Sequence, residues 1–213
     1  MIVLVGLVTK IDDDQNLSRV KVKFPQLSDD LETHWCRLVS TGGGKERGIQ
    51  FIPEVDDEVL VLGPNMFNLF VLGGLWSTVD LPPYKSSDAA SAREVKKRVI
   101  RSRTGHEIML DDGDQPGITI IDSTGNNKVH IDTGSNALTA EVDGDITIKS
   151  KTGSITLDAK MGLTAKAGTD LSMSATGSAS FEATGNATLK GTGSVRVESS
   201  ANASLSAPTV SLG

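Results

Sequence analysis

Large apolar side chains are scarce in most of this chain. Aromatic residues make up only 4% of its 213 residues, and all of them except Phe181 precede residue 85. The first part can therefore bury bulky side chains in a globular core, while the remainder needs another source of stability. There is one cysteine, Cys36, which excludes an internal disulfide and a thiolate metal cluster; it reads as a small buried apolar residue. No proline falls between Pro116 and Pro208. Lysine and arginine (21) are outnumbered by aspartate and glutamate (27), for a net charge of −6. That balance lacks the basic excess of a nucleic-acid binder. The apolar opening Met1–Val8 is too short for a membrane span, has no basic lead-in and runs into Asp12-Asp13-Asp14. A strand and a turn are expected there, and synthesis in the cytoplasm without a signal peptide.

What is present begins with strands. Arg19 to Phe24 alternates strictly, setting Val20, Val22 and Phe24 on one face and three cations on the other. Strands are also expected at Trp35–Ser40, Glu54–Leu62 and Leu69–Trp76. Gly42-Gly43-Gly44, Pro64-Asn65 and Gly73-Gly74 serve as punctuation. About five short strands in residues 1–80 predict a small barrel of the OB type. Residues 81–98 open with Pro82-Pro83 and turn polar, which predicts a linker with at most a turn of helix behind a Ser/Asp cap.

From Val99 onward β alternation returns and becomes periodic. The pairs Ile155/Leu157, Leu163/Ala165, Leu171/Met173, Ala179/Phe181, Ala187/Leu189, Val195/Val197 and Ala203/Leu205 follow one another at intervals of eight. Earlier pairs, Ile118/Ile120, Val129/Ile131, Leu138/Ala140 and Ile146/Ile148, are spaced eight to eleven apart, as expected where loops are longer. Gly177, Gly185 and Gly193 keep the same period and mark the turn closing each unit. A fixed period is strong evidence for a repeat architecture.

One eight-residue unit supplies one short strand and one turn, hence one side of a polygon. A single-chain coil needs about eighteen or more residues, and calcium-binding rolls need Gly-Gly-x-Gly-x-Asp turns that are missing here. Three chains contributing one side each close a triangular prism with an apolar axis, in which every strand has a neighbour above and below. About eleven levels at roughly 4.8 Å give a shaft on the order of 50 Å. The expected fold is therefore all-β: an OB-fold barrel (1–80), a linker (81–98) and a homotrimeric, intertwined triple-stranded β-helix needle (99–213). The needle core would comprise Ile155, Leu157, Leu163, Leu171, Met173, Phe181, Leu189, Val195, Val197 and Leu205. A monomeric solenoid or a disordered Ser/Ala/Gly tail are the alternatives, and disorder gives no reason for the apolar pairs to stay in phase.

Three segments then resemble a known family. Phe51–Val61, with its Pro53-Glu54-Val55-Asp56-Asp57-Glu58-Val59 core, resembles the P-x-V-G-D-E-V-x-V segment of the OB-fold in phage baseplate spikes of the gpV type and in VgrG spikes of type VI secretion. Val71–Trp76 is similar to the following strand of that family, and Arg103–Asp112, containing Ser-Gly-His-like Thr104-Gly105-His106-Glu107-Ile108, to the start of its triple-stranded β-helix. Asp56 stands where the family usually has glycine, a departure that bears on local turn geometry. The 213 residues leave no room for the large hub region of VgrG, and residues 81–98 none for the lysozyme domain of some phage relatives. The H-x-H iron tip of other spikes has no counterpart in His34, His106 or His130.

The resemblance implies a structural spike at the centre of a contractile injection machine, seated on a separate trimeric hub protein and driven through the target cell envelope on sheath contraction. The final location would be the baseplate of a phage tail or injection particle. A blunt end at Val210, Ser211, Leu212 and Gly213 would receive a PAAR-type tip protein. A trimeric adhesin or tail-fibre segment is the competing reading, but its far end should be rich in aromatics, and this one is rich in Ala and Ser.

No enzyme and no cofactor are expected. Asp12-Asp13-Asp14 and Asp111-Asp112-Gly113-Asp114 offer clustered carboxylates of the kind calcium favours, but acidic residues beside glycine between strands are the ordinary material of turns. His106 has no identifiable nucleophile or partner, so a packing role at the barrel–needle junction is expected. The triple glycine lacks the Lys-Ser/Thr of a phosphate loop, and the basic face of Arg19, Lys21 and Lys23 alone does not make a nucleic-acid groove.

Overall fold

The computed structural model describes residues 1–28 and 30–210. By its internal contacts the chain divides into two compact units, Met1–Ile148 and Lys149–Gly213.

The first unit opens with five strands: β1 (Ile2–Lys10), β2 (Lys21–Lys23), β3 (Arg37–Leu38), β4 (Glu58–Asn65) and β5 (Asn68–Gly74). They form one sheet in the order β2-β1-β4-β5-β3. All pairings are antiparallel except the short parallel pair β3–β5. Reciprocal backbone hydrogen bonds between Val20 and Cys36, at 3.0 and 2.8 Å, tie the two sheet edges together. The apolar positions of alternating strands meet inside: Val8, Val20, Val22, Phe24, Cys36, Val59, Val61, Leu69 and Val71 are buried. Full burial of such side chains stabilises by about 1.5–3 kcal/mol each, so this cluster is the main source of barrel stability. The all-β barrel-like sheet agrees with an OB-fold.

Several element limits differ from those expected. The strand expected from Glu54 starts at Glu58, because Glu54–Asp57 closes a turn in which the Glu54 N–H donates to Asp57 Oδ2 at 2.7 Å. At its other end β4 runs through Pro64 to Asn65, whose Oδ1 accepts the N–H groups of Phe67 and Asn68 and so makes the hairpin. The strand expected at Trp35–Ser40 shortens to Arg37–Leu38, since only Arg37 and Leu38 find a continuous partner in β5. Helix α1 (Ser86–Ala89) is a single turn, and its N-cap is Lys85 rather than a serine or aspartate, with no side-chain capping bond.

After α1 comes a second sheet, an uninterrupted antiparallel meander of β6 (Lys97–Arg101), β7 (Glu107–Asp111), β8 (Gly117–Ile121), β9 (Lys128–Asp132) and β10 (Ala137–Glu141). Each strand is five residues long and pairs over its full length with the next. Three of the four connecting turns use an aspartate, Asp111, Asp122 or Asp132, while Ser102 closes the β6–β7 turn by accepting the His106 N–H at 3.0 Å. Asp122 Oδ1 accepts from Gly125 N at 3.1 Å while Asn127 Nδ2 donates to Asp122 Oδ2 at 2.7 Å. Asp132 repeats the device with Gly134 and Ser135. These bonds favour the charged form, and the Asp122 carboxyl, held chiefly by Asn127, is lowered to about 2.

In the second unit, bends recur at residues 160–161, 168–169, 176–177, 184–185, 192–193 and 200–201. Gly177, Gly185 and Gly193 are each the second residue of such a bend. Among the described residues no helix is long and apolar enough to cross a membrane.

Candidate functional site

The meander gathers most of its large aliphatic side chains on one face. Successive strand residues point to opposite sides, and the register stacks like with like. Ile100, Ile108, Ile120, Val129 and Ala140 form one cross-strand row. Leu110, Ile118, Ile131 and Leu138 form a second row on the same face, beginning at Arg98. The other face is mixed: it carries Lys97, Asp111 and Asp132 in one row, Arg101, Glu107, Ile121, Lys128 and Glu141 in another, and Val99, Met109, Thr119, His130 and Thr139 between them. Lys128 Nζ lies 2.9 Å from Glu141, and Lys97 Nζ 3.8 Å from Asp111.

A face this apolar is normally covered, yet Ile120 is 51% exposed and Leu138 69%. The sheet also has two open edges, β6 and β10. Large unpartnered apolar faces mark interaction surfaces, and open strand edges are templates for pairing.

The eight-residue repeat shows the same deficit in stronger form. Ile155, Leu157, Leu163, Leu171, Met173, Phe181, Leu189, Val195, Val197 and Leu205 are all exposed, Phe181 at 81% and Leu205 at 84%. Among the described residues no backbone–backbone hydrogen bond forms beyond Glu141. A Cβ at Gly177, Gly185 or Gly193 would meet nothing within 4 Å. Backbone polar groups in an ordered, periodic segment ordinarily find partners, and among the described residues a lone chain offers only a few local side-chain ones here, such as Ser150 Oγ for Gly153 N–H and Ser199 Oγ for Ala201 N–H. Of the residues assigned to a tip partner, Val210 is 48% exposed; Ser211, Leu212 and Gly213 lie outside the described residues.

The meander is held to the preceding segment by contacts the motifs did not reveal. Tyr84 donates its hydroxyl to Glu107 Oε1 at 2.8 Å, and Glu107 is only 6% exposed. Lys97 Nζ sits 4.9 Å from the Tyr84 ring centroid, within cation–π range. Burial and the neighbouring carboxylate push the Tyr84 hydroxyl up from its ordinary value. Arg103 Nε reaches Glu54 of the barrel at 2.9 Å. The signals available in the sequence were Tyr84, the one tyrosine, and a glutamate inside the Thr104–Ile108 motif.

The polar clusters weighed in the sequence have specific occupants. Asp13 accepts from the N–H groups of Gln15 and Leu17 and from Arg19 Nε at 3.0 Å, closing the β1–β2 connection. The Arg19 guanidinium holds the Asp13 carboxyl well below the usual carboxylate range. Asp111 accepts from Gly113 N at 2.8 Å, and Asp112 pairs with Arg98. Both acidic clusters are thus turn and ion-pair structure, and among the described residues no group of three metal-ligating side chains comes together. His106 Nδ1 accepts the Ser123 N–H at 3.2 Å, bracing the β6–β7 turn against the β8–β9 turn. On the basic face, Arg19 pairs with Asp13 and Lys21 with Glu32 at 2.8 Å, and both cations lie over the Trp35 ring. Burial raises the Cys36 thiol, whose Sγ is 3.4 Å from Thr33 Oγ1.

Comparison with known proteins places these features. Residues 4–76 match the family described as the type VI secretion system/phage-baseplate injector OB domain. Over 100 residues the chain is 28% identical to the type VI secretion system spike protein VgrG2a of Pseudomonas aeruginosa, covering 44% of this chain and 12% of that protein. It is likewise 28% identical over 100 residues to VgrG2b of the same organism, covering 44% of this chain and 10% of that relative. The chain spans only a small part of the length of these relatives. Residues 4–76 are thus similar to the injector OB domain of baseplate spikes, and the likeness to gpV-type and VgrG-like spikes read from the motifs at Phe51–Val61 and Val71–Trp76 falls within that match.

Proposed function

We propose that this protein is the structural central spike of a contractile injection machine and acts as a homotrimer that pierces the target envelope. In this reading residues 1–80 form the barrel, 81–98 the linker and 99–213 a triple-stranded β-helix needle. The observation that carries it is the apolar face of the meander. It presents two core side chains per strand, and the sequence continues that pattern through Ile146/Ile148 into the eight-residue repeat, where among the described residues no backbone–backbone hydrogen bond forms within one chain. Two further copies supply what is missing. Each level then closes a triangle, the listed apolar residues from Ile155 to Leu205 fill the axis, and Gly177, Gly185 and Gly193 turn its corners. Piercing demands stiffness along one axis and resistance to unfolding, and an interlocked trimer has both, since no chain leaves without unzipping every level.

The barrel would sit on a trimeric hub protein, and the C-terminal residues Val210–Gly213 would receive a PAAR-type tip. Electron microscopy of the intact particle tests the role. Density for this protein on the central axis is expected; density at the periphery would instead assign it to a fibre or adhesin.

A further inference from the structure

The chain between barrel and meander sorts into two anchored ends and a joint. Leu75 still belongs to the barrel, its N–H donating to the Glu58 carbonyl at 2.8 Å. From Tyr84 the chain belongs to the meander. Besides the Tyr84–Glu107 and Lys97–Tyr84 contacts, the Asp112 N–H donates to the Lys96 carbonyl and the Lys96 N–H to the Ala89 carbonyl, both at 2.7 Å. Among the described residues, the hydrogen bonds of residues 76–83 stay within residues 77–80. There Ser77 Oγ accepts the N–H groups of Val79 and Asp80, and the Ser77 N–H donates to the Asp80 carbonyl.

Little else crosses from one sheet to the other. Among the described residues no barrel strand comes within 8 Å of a meander strand, Cα to Cα, and an open cleft of about 1770 Å³ lies between them. Among the same residues, the one hydrogen bond or ion pair that joins residues 1–75 to the chain beyond residue 83 is Arg103 Nε to Glu54 Oε1, at 2.9 Å. Both of its ends rest on closed turns: the Glu54 N–H is held by Asp57, and Ser102 accepts the His106 N–H beside Arg103. Yet the Glu54 and Arg103 side chains are 54% and 74% exposed. An exposed pair of this kind shifts an equilibrium by at most about fivefold and is screened by salt. It is strong enough to bias one arrangement and too weak to lock it.

We infer that residues 76–83 are a hinge and that the Arg103–Glu54 pair is a releasable clasp across it. Packed units with so small a junction move relative to one another, and hinges confine the change to a few loop residues. Closed, the clasp holds the β6–β7 turn against the turn that leads into β4. Released, it lets the barrel change its tilt against the meander with both sheets intact. The device is independent of the oligomeric state and of the spike role proposed above.

The test measures a barrel-to-meander distance in the full chain by double electron–electron resonance. Spin labels go on Lys10→Cys and Thr133→Cys, both exposed positions, while the buried Cys36 stays unlabelled. Diluting labelled chains into unlabelled ones restricts the reading to distances within one chain. The expected result at low salt is one dominant distance. Glu54→Lys, or 1 M sodium chloride, should raise the weight of a second distance by two- to fivefold, and adding Arg103→Glu to Glu54→Lys should restore the first. A single narrow distance unmoved by charge reversal and by salt overturns the hinge. A broad distribution that Glu54→Lys leaves unchanged overturns the clasp. Both side chains are exposed, so equal melting temperatures of parent and variants confirm that only the joint is altered.

Discussion

The Tyr84 hydroxyl lies 2.8 Å from Oε1 of Glu107, joining the segment that follows the barrel to the second strand of the meander. Glu107 is buried, so its carboxylate depends on this donor and on Arg101, 3.7 Å away. Leaving a buried acceptor unsatisfied costs about 1–3 kcal/mol. Tyr84→Phe should therefore lower the midpoint of thermal unfolding by several degrees, whereas Tyr→Phe is nearly silent where the hydroxyl faces water. Differential scanning calorimetry of the parent and variant measures this.

The same contact has a signature at alkaline pH. The Tyr84 hydroxyl is raised above its ordinary value of 10.0 by burial and by Glu107. A raised folded value means the neutral hydroxyl is favoured by folding. That contribution is fully present below pH 10 and is lost as pH rises through the higher folded value. Since the chain has one tyrosine, its ultraviolet titration should show a single midpoint above 10, falling to the ordinary value in denaturant.

Asp13 acts in the opposite direction. Its folded value is depressed by Arg19, so its contribution is complete above the ordinary 3.8 and is lost as pH falls below it toward the folded value. Asp13→Asn should lower the melting temperature at pH 7, and the difference from the parent should shrink below about pH 4. Asp12→Asn, an exposed neighbour, should do neither.

Two backbone positions in the barrel give predictions of opposite sign. A Cβ on Gly6 would lie 2.4 Å from Val22 Cγ1 and 2.7 Å from the Lys23 carbonyl oxygen. Gly6→Ala should destabilise the barrel by about 1–3 kcal/mol, as overpacking does. Asp56 has φ of 73°, in the left-handed region. Glycine adopts this region without a Cβ penalty, and Asp56→Gly should stabilise by about 0.5–1 kcal/mol. Chemical denaturation of both variants checks the pair.

In the proposed needle, Leu171 alternates with Ser172. If Leu171 points to a shared axis, Leu171→Asp places three charges together in a dry core and should abolish SDS resistance of the unboiled protein. Ser172→Asp, on the outer face, should leave that resistance intact.

The barrel was legible because its code is local. Strict alternation at Val20, Val22 and Phe24 predicts one buried face, and all three are fully buried. Strand limits were less legible, since Glu54–Asp57 has strand-forming neighbours yet is captured by a side-chain-closed turn, a competition that composition does not reveal. The apolar pairs Ile118/Ile120, Val129/Ile131 and Leu138/Ala140 were visible as pairs. Their union into one antiparallel meander was not, because register depends on turn length and on how Asp122 and Asp132 close the turns that follow β8 and β9. The Tyr84–Glu107 contact spans 23 residues and has no local signature at all. For the eight-residue repeat, sequence periodicity says more than a single chain's geometry, since in the proposed trimer the partners that satisfy it belong to other copies.

The central claim is that three chains complete what one chain leaves open. The most direct measurement is the mass of the intact, unlabelled protein by sedimentation equilibrium or native mass spectrometry across a wide concentration range. Three chain masses, undiminished on dilution, are predicted. A single chain mass, with the second unit resistant to proteolysis, would contradict the account.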